Sequence, residues 1–348
     1  MSAPEDHHAV IGESQAPAPQ AARNRLSRLL VGKPGGAPHR YVLLLACLVG
    51  LATLLEVFVP NFYRTANLHI LMQEWATLGI VTLGQLLVLL VGGIDLSVGA
   101  VMNASLIIIA LMDQNGSSLL WLALVSCVVF GAGVGLLNGL LVSLRGVPPF
   151  AATLGMMAVV QGGILVYTKG VPAGEIPASL TAVALHGIGI VPYSLLICLG
   201  IAAVMTLVLR RGTFGRKIYA VGRSPEAAWR MAISTTAVRV AAYVMCGVLA
   251  ALAGIILSAF VGYVDPAIGG NYNLESIAAA VLGGVAFTGG EGGAIGALVG
   301  ALFLLALLNV FTLSSLNPYT QLIVVGVALL VAVAMFQRLK TGLSDSYT

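Results

Sequence analysis

Long apolar runs, broken by few charges, constrain this chain more than any other feature. They lie at 41–59, 69–91, 96–112, 118–144, 149–168, 191–209, 237–261, 274–288, 293–311 and 319–336. A helix needs about 20 apolar residues to cross the hydrocarbon core of a bilayer. Helix is favoured there because lipid offers the backbone no hydrogen-bond partner. Composition agrees, with 59% hydrophobic and 9% charged residues and a mean hydropathy of +1.00. Soluble domains carry about 25% charge, which excludes a soluble enzyme. A porin-type barrel would show alternating segments of about ten residues, far shorter than these runs. The expected fold is therefore all-α and polytopic, with about ten transmembrane helices. The eighth run is short, so a tilted, broken or protein-buried segment is expected there. The third is also short and follows a Gly-rich break. The 42 glycines suit close packing of membrane helices.

The basic residues give an orientation. With the N-terminus inside, 15 of the 17 Lys and Arg fall on the inner side, and only Arg64 and Lys169 fall outside. This positive-inside asymmetry predicts an even number of spans and two cytoplasmic termini. Residues 1–40 are polar and lack the apolar stretch of a secretory signal. They are expected to form a disordered cytoplasmic tail, with a short interfacial helix near Arg23–Leu30. The membrane domain spans 41–336, and 337–348 is a second cytoplasmic tail. Cys47, Cys127, Cys198 and Cys246 each stand alone in an apolar run. No disulfide or metal site is expected from such spacing.

The longest inner loop, 210–236, contains a helix start. Ser224 suits the N-cap, Pro225 the first helical position, and Glu226 the positive end of the helix dipole. Ala227, Ala228, Met231 and Ala232 would form a small apolar face, on a helix lying parallel to the membrane. Gly92–Ala100 resembles Gly289–Ala297, since each has a Gly-Gly pair, an acid and a closing Gly-Ala. Both fall on the inner side, whereas an inverted repeat would place matched loops on opposite sides.

Polar residues inside spans are functional candidates by default. Glu74 and Gln85 share one face of the second run, and Asn103, Asn138, Gln161 and Asn309 are neutral amides in apolar surroundings. They would line a translocation path, or else tie helices together by hydrogen bonds. Glu56, Glu74 and Glu275 lie near outer span ends, where headgroup placement is the simpler reading. There is no ladder of acids and histidines for a proton pump, no Arg-rich voltage sensor and no Walker A sequence. No HExxH or nucleophile elbow is present either. A neutral polar path suits an uncharged, hydroxyl-rich solute.

Val91-Gly92-Gly93-Ile94-Asp95-Leu96-Ser97-Val98-Gly99 closely resembles the signature of the ribose-type permeases, the membrane subunits of bacterial sugar ABC importers. Pro149-Phe150-Ala151-Ala152-Thr153-Leu154-Gly155 is similar to a second block of that family. Ala278–Gly284, followed by Gly289-Gly290, is similar to a third. Glu226-Ala227-Ala228 matches the short element through which importer permeases meet their ATPase. The family usually has a basic residue where Glu291 stands, a departure that argues against a role for a cation there and leaves the role of Glu291 open. The resemblance implies a paired permease (homodimer or heterodimer) in the bacterial inner membrane. It also implies ATPase subunits carrying ATP and Mg, and a periplasmic or lipid-anchored binding protein that selects the solute. This chain would bind no cofactor itself. Arg223, Glu226, Ala227, Ala228 and Arg230 would form the ATPase contact. The signature residues Gly92, Gly93, Asp95, Ser97 and Gly99 are structural or gating. Asp95 would cap the third span with help from Ser97, or else gate the path or pair with an inner-loop arginine. The alternatives are a permease for nucleosides or branched-chain amino acids, and a secondary transporter working alone. The sugar or polyol is left open.

Overall fold

One helix, α1 (Thr65–Leu90), occupies the centre of the bundle, and every residue from Ala76 to Leu90 is buried. A segment that is apolar on all sides is stable inside a protein core or against lipid, and here neighbouring helices surround it. The computed structural model describes residues 61–112, 119–171, 174–314, 317 and 319–327. The expected span at 41–59, both tails and the end of the run at 319–336 lie outside those residues. After α1 come α2 (Val98–Met112), α3 (Leu120–Leu144), α4 (Pro149–Thr168) and α5 (Ala178–Leu185). A small antiparallel hairpin follows, β1 (Gly187–Ile188) and β2 (Val191–Pro192), with Gly187 opposite Pro192. The remaining helices are α6 (Tyr193–Arg211), α7 (Thr213–Arg223), α8 (Pro225–Arg230), α9 (Thr235–Val261), α10 (Tyr272–Leu282) and α11 (Ala294–Leu313). Among the described residues, α1, α3, α4, α6, α9 and α11 are long and apolar enough to cross a membrane. The protein is a multi-pass membrane protein. Large apolar side chains on α3, α4 and α6, such as Val129, Val166 and Val204, face outward, as lipid-facing or subunit-facing surfaces permit.

The eighth expected span is broken. Helix α10 stops at Leu282, and its 11 residues rise only about 16 Å. Gly284, Gly289, Gly290 and Gly292 all have positive φ, so residues 283–292 form a turn-rich loop that residues with a Cβ would strain. The short third span begins at Val98. The inner loop holds two helices, α7 and α8, where one was expected. Residues 178–192 add α5 and the hairpin, which carried no hydropathy signal.

Glycine sets the closest helix contacts. Gly131, Gly135 and Gly139 lie on one face of α3, one turn apart. A Cβ on any of them would run into the α9 backbone at Gly247, Tyr243 or Val240. In lipid, where apolar burial no longer drives association, such close approach supplies the dispersion energy that holds helices together.

A shift of 170 residues superposes two units of the chain. It places Gly92, Asp95, Gly99 and Asn103 on Gly262, Asp265, Gly269 and Asn273. The helix limits match too: α1 and α9 begin at Thr65 and Thr235, and α2 and α10 end at Met112 and Leu282. The local geometry repeats, with φ of 76° at Gly92 and 75° at Gly262. Asp95 Oδ1 accepts from the Ser97 N–H at 2.8 Å, and Asp265 Oδ1 accepts from the Ala267 N–H at 2.8 Å. Gly84 of α1 packs on Cys246 of α9, and Gly93 on Tyr243, so α1 and α9 run antiparallel. The two units form an inverted repeat, the arrangement that places broken helices against each other in many transporters. The Gly-Gly loop at 289–292 is not the repeat partner of 92–99. The two loops sit at the same end of the bundle and touch.

Candidate translocation and coupling site

The two broken helices meet start to start. Asn273, at the start of α10, accepts from the Gly99 N–H through Oδ1 at 2.6 Å. Asn103 of α2 accepts from the Gly269 N–H through Oδ1, also at 2.6 Å. Each glycine stands four residues before an asparagine, so the two bonds are repeat-related and reciprocal. A Cβ on Gly99 would collide with the Gly269 carbonyl, and one on Gly269 would lie 2.6 Å from the Gly99 carbonyl. Helix α4 covers this clasp. Asn103 Nδ2 donates to Gln161 Oε1 at 3.2 Å, and Gln161 Nε2 donates to the Pro266 carbonyl at 2.8 Å. Asn273 Nδ2 donates to Met157 Sδ at 3.3 Å. Every hydrogen-bonding group in the cluster is neutral.

A second polar centre surrounds Asp95, which is 1% exposed. Its Oδ1 accepts from the Ser97 N–H and from Ser97 Oγ at 2.6 Å. Asn138 Nδ2 donates to Ser97 Oγ at 2.9 Å and reaches Asp95 Oδ1 at 3.5 Å. The Cys246 thiol lies beside the carboxyl. Gln85, with its amide oriented to suit its partners, holds the Asp95 backbone at 3.1 and 3.2 Å. Burial in the loop between α1 and α2 pushes the Asp95 carboxyl up from the usual carboxylate range, against the pull of Ser97 and Asn138. Asp95 therefore braces Ser97, whose carbonyl accepts the Val101 N–H at 3.0 Å as α2 begins. It acts one step before the cap, and among the described residues its side-chain hydrogen bonds go to Ser97 and Asn138.

The remaining path candidates lie elsewhere. Asn309 and Asn67 form a reciprocal amide pair at 3.0 Å. Glu74 of α1 lies half-buried in electrostatic range of Tyr272 and Glu275 on α10. Glu74 and Gln85 share a face but are separated by about 16 Å along α1. The six residues thus occupy four places: Gln85 and Asn138 meet at Asp95, Asn103 and Gln161 meet at the clasp, and Glu74 and Asn309 stand apart. Asn273 and Met157 complete the clasp. A self-comparison of the sequence at an offset of 170 would have found Asn273.

At the end of the bundle that carries α7 and α8, Ser224 caps α8 by accepting the Ala227 N–H at 3.2 Å, and Pro225 is the first helical residue. Arg230 pairs with Glu226 at 2.6 Å, with both side chains exposed, a pairing of little stability value in water. Ala228 is fully buried within the chain, whereas Trp229 and Met231 are 70% and 64% exposed. Arg223, Glu226 and Ala227 are also exposed. The outward surface of α8 is therefore aromatic and charged rather than small. A groove lined by Trp229, Ile233, Ser234 and Thr236 lies beside it. Helix α7 is amphipathic, burying Gly215, Ile218 and Val221. No group of three or more potential metal ligands occurs among the described residues.

No solved structure matches the chain. Sequence relatives do. The chain is 34% identical to the ribose import permease protein of Bacillus subtilis (strain 168), over 83% of its own length and 90% of that protein. It is 31% identical to the fructose import permease protein of Rhizobium meliloti, covering 91% and 89%. It is 32% identical to the autoinducer 2 import system permease protein of Yersinia enterocolitica, covering 85% and 82%. The sequence pattern of one family, described as branched-chain amino acid transport system / permease component, matches residues 67–333. That range takes in both repeat units, both polar centres and the α7–α8 pair. The chain belongs to this family of permease components, transport subunits rather than enzymes.

Proposed function

We propose that the chain is the transmembrane permease subunit of an ABC importer for a monosaccharide or similar small polyhydroxy solute. The observation that carries the reading is the near full-length match to permeases named for ribose and fructose import. The neutral amides at the clasp support it, since hydroxyl groups exchange hydrogen bonds with amides without burying charge. The family's printed description speaks of branched-chain amino acids. The sugar-named relatives, and the neutral amides that make the side-chain bonds of the clasp, favour the sugar. Ten spans with both termini cytoplasmic, in the bacterial inner membrane, follow from the positive-inside charge distribution and the family resemblance. The partners are ATPase subunits that hold ATP and Mg, a periplasmic or lipid-anchored binding protein, and a second permease copy or paralogue.

On this reading α8 is the ATPase contact, made by Trp229, Met231, Ala227 and the Glu226–Arg230 pair, with Arg223 at its edge. Ala228 acts from inside by seating the helix. The experiment is reconstitution of the complete transporter in liposomes, with ribose and fructose as labelled probes. ATP-dependent uptake of either sugar is expected, and none from this chain alone. Uptake by the chain alone would replace the importer with a facilitator. Trp229→Ala should weaken ATPase co-purification by about 2 kcal/mol, roughly 30-fold in affinity, as loss of an exposed aromatic anchor does.

A further inference from the structure

We propose that loop 283–292 relays motion from α7–α8 to the centre of the membrane domain, with Tyr219, Gly222 and Arg223 as positioning residues for transport. The proposal rests on the importer reading above. Helix α7 is fastened to this loop at three successive points. Tyr219 Oη donates to the Gly292 carbonyl at 2.8 Å. Gly222 sits so close that a Cβ would run into the Leu90 carbonyl and lie 2.5 Å from the Gly290 nitrogen. Arg223 Nε donates to the Gly290 carbonyl at 3.4 Å, and its backbone blocks any Cβ on Gly290.

The loop in turn grips the core. The Gly290 N–H donates to the Leu90 carbonyl at 2.9 Å, at the end of α1. A Cβ on Gly289 would lie 2.9 Å from the Gly92 nitrogen and 3.0 Å from the Gly222 carbonyl. One short loop therefore joins α7 to the end of α1, to the Asp95 loop that starts α2, and to the helices it connects, α10 and α11. Those elements carry the clasp.

The contact is suited to transmission because it is backbone on backbone. Side chains at an interface absorb a displacement by changing rotamer. A glycine-to-glycine contact has no rotamers to change, and close-packed interiors pass strain onward. Positive φ at Gly289, Gly290 and Gly292 fixes the loop in a shape that residues with a Cβ would strain. A merely structural joint would tolerate side-chain filling between α7 and α1. Here three separate glycines keep the backbones in touch.

The test uses the complete transporter in liposomes, with labelled ribose and fructose as probes, and reads sugar moved per ATP hydrolysed. Wild-type protein should show ATP-dependent uptake. Gly222→Val should assemble with the ATPase and hydrolyse ATP within about twofold of wild type, while sugar moved per ATP falls about tenfold, within the range of single coupling contacts. Tyr219→Phe keeps the ring and removes the bond to the Gly292 carbonyl, so the ratio should fall by a smaller factor in the same direction. If Gly222→Val does not accumulate in the membrane, Tyr219→Phe decides by the same ratio. An unchanged ratio in the variants that assemble overturns the relay, as does a parallel fall in uptake and hydrolysis. Failure of wild type to take up ribose, fructose or any other monosaccharide or polyol of a labelled panel with ATP overturns the importer reading and the relay together.

Discussion

Asn103 and Asn273 look interchangeable with any membrane amide until their acceptors are compared. Both spend their side-chain oxygen on a glycine N–H of the opposite repeat unit. Removing either leaves a buried donor unpaired, a loss of about 1–3 kcal/mol, reduced in membranes where unfolded helices find other partners. Asn103→Ala and Asn273→Ala should each lower thermal stability in detergent by about 1 kcal/mol. Because both bonds hold one junction, the double variant should lose less than the two single losses combined; full additivity would mean that the bonds are independent. Asp95 presents a harder case. Asp95→Ala strips Ser97 of its acceptor and Asn138 of one partner, and Asn138 Oδ1 already has no hydrogen bond. A loss of about 2–3 kcal/mol is expected in the same assay, with Asp95→Asn retaining part of it. Sequence reading could single out Asp95, Asn103 and Asn138 because polar atoms in apolar runs stand out. It could not pair them, since pairing across 174 positions, as between Gly99 and Asn273, depends on which helices touch.

Among the helices, small residues decide what hydropathy cannot. The stretch from Ala278 to Phe287 has no charged residue, so hydropathy does not end α10 at Leu282. The stop comes from Gly283 and Gly284, where a Cβ at 283 would strike the Gly296 carbonyl and φ at 284 is 88°. Helix α7 was hidden for the opposite reason. Its buried positions Gly215, Ile218 and Val221 recur with helical spacing, but they are few and lie among Arg and Lys. The long spans were legible because each needs only length and apolarity. The α3–α9 contact supplies a test with an internal control. A Cβ on Gly135 would overlap the α9 backbone at Tyr243, whereas one on Gly133, on the outer side of the same helix, meets nothing within 4 Å. Gly135→Leu should destabilise the protein by about 3 kcal/mol or more, beyond ordinary overpacking because the obstacle is backbone. Gly133→Leu should leave unfolding in detergent nearly unchanged. Equal effects at the two positions would mean that helix propensity, not close approach, dominates.

At the scale of the whole molecule, an inverted repeat and a charge asymmetry bear on the same question. The repeat makes α1 and α9 antiparallel, so the loop after α1 and the loop after α9 lie towards opposite faces. The first of these, 91–97, lies against Gly289 and Gly290 and so joins the end that carries α7 and α8. That end also holds Arg210, Arg211, Arg216, Lys217, Arg223 and Arg230, while Lys169 ends α4 on the other side. Arginine and lysine are retained on the cytoplasmic face during insertion, so the proposed orientation puts the α7–α8 end in the cytoplasm. The prediction is direct, because Lys169 and Lys217 are both exposed and the described cysteines Cys127, Cys198 and Cys246 are buried. In intact cells, a membrane-impermeant thiol reagent should label Lys169→Cys and spare Lys217→Cys. In inside-out vesicles the pattern should reverse. Labelling of Lys217→Cys from outside would invert the molecule, place α8 beyond the reach of a cytoplasmic ATPase, and overturn its assignment as the ATPase contact.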